Sequence, residues 1–117
     1  MINKSIIILL SAVLAGGCAS SQKAAKAATA EFQVKGICSM CENRIEQAAL
    51  IPGVRLAEWN QETDVLKVIY APSKVKLDDI HQSIANAGHD TDKIKAPDEA
   101  YAKLPGCCAY RDGVEKH

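Results

Sequence analysis

The sequence has no excess of charge: 14 Lys and Arg face 14 Asp and Glu over 117 residues. No basic stripe stands out, so the electrostatic footprint of a nucleic-acid binder is missing and nucleic acid is not an expected partner. Paired carboxylates, a Ser-His-Asp set and a phosphate-cradling glycine loop are also missing. Hydrolytic and phosphoryl-transfer chemistry therefore have no residues to carry them, and the chain reads as a binding protein, not an enzyme. No apolar run is long enough to span a bilayer comfortably; Ile6 to Leu14 falls well short of the roughly 20 residues needed. What the chain does have is cysteine, five in all.

Lys4, the apolar stretch Ile6 to Leu14 and the small residues Ala15-Gly16-Gly17 follow the order of a secretory signal peptide. A small-residue run ending in Cys18 resembles the bacterial lipoprotein signal, with Ala15 where Leu is commoner three residues before the cysteine. That resemblance implies cleavage after residue 17 and lipidation of Cys18. The protein would then sit in the bacterial cell envelope, anchored by lipid to a membrane and facing the periplasm. Removing residues 1–17 takes Lys4 and no acid, leaving 13 basic against 14 acidic residues. Residues 18–30 are small and polar and read as a flexible tether. Residues 31–95 suffice for one small domain, with 96–117 as a C-terminal tail.

Setting Cys18 aside leaves two pairs, Cys38/Cys41 and Cys107/Cys108. An even count outside the cytoplasm ordinarily suggests disulfides. A bridge within either pair would close too short a loop to staple a fold, so the spacing favours chemistry over scaffolding. Cys38-Ser39-Met40-Cys41 lies where a strand gives way to a helix. The positive end of a helix favours thiolate over thiol, the form that binds soft metals and attacks disulfides. The pair alone supports both metal handling and redox exchange.

Glu31 to Lys35 alternates polar and apolar, which predicts a half-buried strand. Ser39 to about Leu50 is helical, with Ile45, Ala48 and Ala49 on one face, and Ile51-Pro52-Gly53 stops it. Val54 to Trp59 and Val65 to Tyr70 read as strands joined by an acid-rich turn, Glu62 and Asp64 being a solvated face. Trp59 and Tyr70 read as core. Leu77, Ile80, Ile84 and Ala87 recur at helical spacing, Asp78 and Asp79 suit the first turn, and Gly88 ends that helix. Thr91 to Lys95 reads as a short fourth strand. The β-α-β-β-α-β order predicts an α+β, ferredoxin-like fold: an antiparallel four-stranded sheet with two helices on one face.

That order, with Cys-x-x-Cys in the first loop, resembles the heavy-metal-associated domain, a family of copper chaperones, metal-binding domains of copper-transporting ATPases and the periplasmic mercury-binding protein. The resemblance covers residues 31–95. It rests on Cys38 and Cys41 before an Ile/Ala-faced helix, Pro52-Gly53-Val54 after it, Tyr70-Ala71-Pro72 after the third strand, and Ile84-Ala85-Asn86-Ala87-Gly88-His89 closing the second helix. The family usually reads Gly-Met-x-Cys-x-x-Cys; here Gly36 stands where Met is expected and Lys35 where Gly is.

The resemblance implies that Cys38 and Cys41 capture a soft ion, Cu(I) or Hg(II) ahead of Zn(II), which wants four ligands. It implies transfer by thiolate exchange with a membrane metal transporter or metal-transporting ATPase, in metal transport or detoxification. Cys107 and Cys108, beside a Pro-Gly bend, are candidates to complete a three- or four-sulfur site, to form a second soft-metal site or to act as a relay. His89 is a candidate third ligand. His81 and His117 carry no assigned role; Lys35 and Arg44 flank the loop, where they could offset thiolate charge but read by default as solvated surface, and Tyr110 and Arg111 read as ordinary tail residues. Two alternatives stay open: a thiol–disulfide oxidoreductase using Cys38/Cys41, which lacks the Trp-Cys-Gly-Pro-Cys run of thioredoxins, and a structural zinc site built from all four cysteines.

Overall fold

The computed structural model describes residues 26–117. The expected signal sequence over 1–17, Cys18 and most of the expected tether lie outside the described residues. Three strands, β1 (Ala28–Gln33), β2 (Val54–Trp59) and β3 (Val65–Tyr70), alternate with two helices, α1 (Ser39–Ala49) and α2 (Leu77–Asn86). A single helical turn, α3 (Asp98–Tyr101), and two 3₁₀ turns, Gly106–Cys108 and Tyr110–Asp112, follow.

The sheet is antiparallel with order β1-β3-β2. Register follows the period-two pattern: Phe32 pairs with Leu66, Trp59 also faces Leu66, and Ala57 and Ala30 face Val68. These residues share the inner face because directly opposed side chains point the same way. The outer face sets Lys67 between Glu31 and Glu58, one from each neighbouring strand. Ile45 and Ala49 of α1 and Ile80 and Ile84 of α2 are fully buried in the same core. Each buried isoleucine contributes about 1.5–3 kcal/mol relative to exposure. Ser83 Oγ donates to Ala48 O at 2.6 Å and ties the two helices together.

Two differences from the expected layout bear on the site. β1 begins at Ala28, three residues before the expected start, because Ala28, Thr29 and Ala30 pair with Tyr70, Ile69 and Val68. Small side chains do not prevent pairing that the backbone itself supplies. The fourth strand is not formed: only a Val34–Thr91 bridge remains, so the sheet among the described residues has three strands. Lys35 N–H donates to Asp90 O at 2.9 Å and Asp92 N–H to Gln33 O at 3.1 Å, which starts a ladder. It stops because Thr91 Oγ1 accepts the amides of Lys93 and Ile94, and Asp90 Oδ1 accepts the amide of Ala96. Local side-chain acceptors curl the segment into a turn in place of a strand.

Residues 96–117 pack onto the domain instead of trailing from it. Gly88 has φ of +107°, and a Cβ there would lie 2.9 Å from Ala100 O and from a Leu104 methyl. Glycine thus both ends α2 and lets the returning chain approach.

Candidate metal centre

Cys38 is the N-cap residue of α1, and its carbonyl accepts the Glu42 amide at 2.9 Å. Cys41 lies in the first turn of the helix. Both sulfurs are therefore at the positive end of the helix, where negative charge is favoured. The loop before them is fixed from beneath. Trp59 Nε1 donates to Val34 O at 3.0 Å, and a Cβ on Gly36 would lie 2.8 Å from the Trp59 ring. The indole occupies the space under the loop, against the glycine that stands where the family's methionine is expected.

Cys108, from the first 3₁₀ turn of the C-terminal segment, comes to the same place. The ligand atoms of Cys38, Cys41 and Cys108 all lie within 4.8 Å of one another, and all three residues are buried. Cys41 and Cys108 are joined as a disulfide with Cα atoms 6.0 Å apart, while Cys38 and Cys107 are free thiols. The bridge thus runs between the two pairs, not within either. Cys38 Sγ donates to Cys107 O at 3.9 Å. Cys107 Sγ points instead to Met40 Sδ, 3.5 Å away, at the surface. Desolvation first, and then the neighbouring Cys38 thiol, push the Cys107 thiol up from its ordinary range.

His89 is fully buried but does not belong to the three-sulfur group. Its Nδ1 faces Lys35 O at 2.7 Å and so carries the proton, leaving Nε2 bare and without a partner. Burial holds the imidazole below its ordinary range, with the Lys35 carbonyl opposing and Arg44 adding to the effect, so the ring is neutral. His81 is buried by Phe32, with Nδ1 2.7 Å from Thr91 Oγ1, and is a core group.

The residues that hold the second cysteine pair in place are ones that the sequence pattern did not single out. Arg111 Nη2 donates to Asp90 Oδ1 at 2.7 Å and Ala96 O at 2.8 Å, while Nη1 reaches Asp98. Tyr110 Oη donates to Gly88 O at 2.7 Å and accepts from the Asp90 amide at 2.9 Å. Burial pushes the Tyr110 phenol well above its ordinary range. For Asp90, burial opposes ionisation, but hydrogen bonds from Arg111 and Ala96 and the Arg111 charge outweigh it and hold the carboxyl low. Lys116 closes the far end on Gly36 O at 3.1 Å and on the Asp64 carboxylate. Tyr110 and Arg111 are thus anchors, not idle tail residues. The usable signal was their place directly after Cys107-Cys108.

Chemically, a reduced Cys38/Cys41/Cys108 set is a compact, water-poor, all-sulfur donor group of the kind soft cations select. Residues 31–90 match the heavy-metal-associated domain. A search of the curated proteins finds no significant match. Among solved structures the chain is similar to the CopZ metallochaperone, at 30% identity and a TM-score of 0.53, over 55% of this chain and 98% of that one. It is similar to the N-terminal domain of a potential copper-translocating P-type ATPase from Bacillus subtilis, solved in its Cu(I)-loaded state: 29% identity, TM-score 0.53, 56% of this chain and 85% of that one. Oxidized MerP from Ralstonia metallidurans shares the fold, at 23% identity and a TM-score of 0.54, over 57% of this chain and 96% of that one. The matched family segment takes in Cys38, Cys41 and His89, and with just over half of its length inside that match the chain belongs to the heavy-metal-associated domain family.

Proposed function

We propose that this protein binds a soft metal ion, Cu(I) or Hg(II), through Cys38, Cys41 and Cys108, and passes it on by thiolate exchange. The observation that carries the reading is the meeting of three buried sulfurs within 4.8 Å at the head of α1. Two of them come from the family's own loop and one from outside the matched segment. Thiolates discriminate against hard cations, and three of them suit Cu(I) or Hg(II) better than Zn(II), which wants a fourth ligand. In exchange, an incoming thiolate bonds the ion as a resident sulfur leaves, and the leaving sulfur takes up a proton. The ion is never free and no electron moves.

The partner in this reading is a membrane metal transporter or metal-transporting ATPase, in keeping with the ATPase domain among the similar structures. The place is the cell envelope, with the protein lipid-anchored through Cys18 and facing the periplasm. Loading requires the Cys41–Cys108 disulfide to be opened by a dithiol reductant. Two electrons and two protons convert the bridge to two thiols, and metal binding then releases the protons.

Competitive titration of the reduced protein with Cu(I), Hg(II) and Zn(II) tests the reading. Tight Cu(I) or Hg(II) binding that disappears in Cys38→Ser/Cys41→Ser is expected; binding unchanged in that variant contradicts it. A chelator that unfolds the protein would favour a structural zinc site instead. The disulfide favours one second reading. With the free Cys38 thiol beside the Cys41–Cys108 bond, thiol–disulfide exchange is geometrically available. Robust metal-free turnover of a disulfide substrate would select that reading.

A further inference from the structure

The sulfurs of Cys38, Cys41, Cys107, Cys108 and Met40 are graded in exposure, and a buried site for an ion needs a way in. Cys41 and Cys108 are fully buried and Cys38 is 5% exposed. Cys107 is half-buried, and Met40 is 51% exposed, one of two large apolar side chains left in solvent among the described residues. The residues that carry them also touch in series. Met40 Sδ lies 3.5 Å from Cys107 Sγ. Cys38 Sγ reaches the Cys107 carbonyl at 3.9 Å. Cys38 then belongs to the buried three-sulfur group.

We propose that Met40 Sδ and Cys107 Sγ form a solvent-facing port through which Cu(I) enters and leaves the buried Cys38/Cys41/Cys108 site. The inference rests on the metal-transfer reading above and names a separate site within it. Met40 is the second residue of α1 and Cys107 sits on the Gly106–Cys108 3₁₀ turn, so two separate elements hold the two sulfurs together. A thioether with no hydrogen to lose and one thiolate make a weak two-sulfur site. Weakness is what a transit site requires. A thioether also selects Cu(I) over Zn(II).

The transfer balances without redox change. Cu(I) arrives bound to a donor thiolate; the Cys107 and Met40 sulfurs bond the ion, and the Cys107 proton passes to the departing donor sulfur. Cys38 then bonds the ion as Met40 dissociates. When Cys107 lets go, it takes the proton that Cys38 gave up, and Cys41 and Cys108 bond the ion as their protons leave to solvent. Cu(I) remains Cu(I) throughout. Unloading is the reverse sequence.

The test uses the full chain, reduced and kept free of oxygen, with Cu(I) supplied as its glutathione complex and loading followed by thiolate-to-copper absorption in stopped flow. Affinity is read separately by competition with a chromophoric Cu(I) chelator. Met40→Leu and Cys107→Ser are expected to slow loading and unloading alike, by about tenfold, corresponding to about 1.4 kcal/mol on each barrier. Affinity should stay within about twofold, because a port alters both rates by one factor and leaves their ratio alone. Met40→Leu should leave Zn(II) loading unchanged. Unaltered Cu(I) rates would overturn the proposal. So would a large loss of affinity, which would make these sulfurs resident ligands, or equal slowing of Zn(II), which would make the effect steric. Absence of Cu(I) binding by the wild type would instead remove the underlying reading.

Discussion

The two cysteine pairs reach one place by different physical means. Cys38 and Cys41 are set by the core: a strand ends at Gln33, Trp59 braces the loop through Val34 and Gly36, and Ile45 and Ala49 bury the helix that carries them. Cys107 and Cys108 are set by polar anchors on either side of Asp90 and Gly88, chiefly Arg111 and Tyr110. Buried apolar contacts form wherever the pattern allows. Anchors of the second kind depend on individual residues and on ionisation. The family's loop thus supplies one half of the site, while the C-terminal segment adds a half that lies outside the matched family segment.

Deleting each half should break the comparison most visibly. Cys38→Ser/Cys41→Ser should abolish Cu(I) binding, a loss of well over about a hundredfold, whereas Cys108→Ser should weaken it by about tenfold and leave a two-sulfur site. Competition with a chromophoric chelator reads both. Equal losses would mean that the halves are not distinct in kind.

The disulfide gives the next largest effect. It joins residues 67 apart in sequence. On the chain-entropy account, closing a loop of that length contributes about 4 kcal/mol, so urea unfolding with and without a dithiol should differ by up to that amount. A difference near zero would mean that the anchors alone already restrict the tail.

Arg111→Ala tests those anchors directly. It removes hydrogen bonds to Asp90, Asp98 and Ala96, and the Asp90 pair is mostly shielded, with each side chain 21% exposed. A cost of about 1–3 kcal/mol is expected. In the reduced protein, alkylation of Cys107 and Cys108 should accelerate while that of Cys38 rises less. Uniform acceleration of all four thiols would show that the two regions unfold as one.

The smallest effect is that of pH on the apo protein. His89 and His81 are both held below their ordinary value of 6.5, primarily by burial. The unfolded chain therefore binds protons that the folded chain refuses, so their stability contribution is intact above about pH 6.5 and is lost as pH falls through the folded values. Asp90, held below its ordinary value, adds a second loss below about pH 4, because Arg111 loses its ionised partner there. Denaturant midpoints measured from pH 8 to pH 3 should decline in two stages, with the acid stage missing in Arg111→Ala. A flat profile across pH 5–7 would contradict the assignment of neutral buried imidazoles.

The elements that follow from periodicity were legible in the sequence: the alternating strands, the Ile/Ala faces of both helices and the cysteine loop between them. The fourth strand was not, because Thr91 and Asp90 accept local amides and curl the segment. The docking of the tail was not legible either. No period marks it; it depends on Arg111 finding Asp90 and on Gly88 leaving room for Leu104. The two pairs were visible as candidate sulfur ligands, but the sequence could not say which cysteine of the second pair turns inward. The 3₁₀ turn decides that, burying Cys108 and leaving Cys107 beside Met40.

The proposed site stands on Cys108 as its third sulfur. X-ray absorption at the copper edge on the reduced, Cu(I)-loaded protein measures this most directly. Three sulfur neighbours in the wild type and two in Cys108→Ser are predicted; two in both would contradict the account.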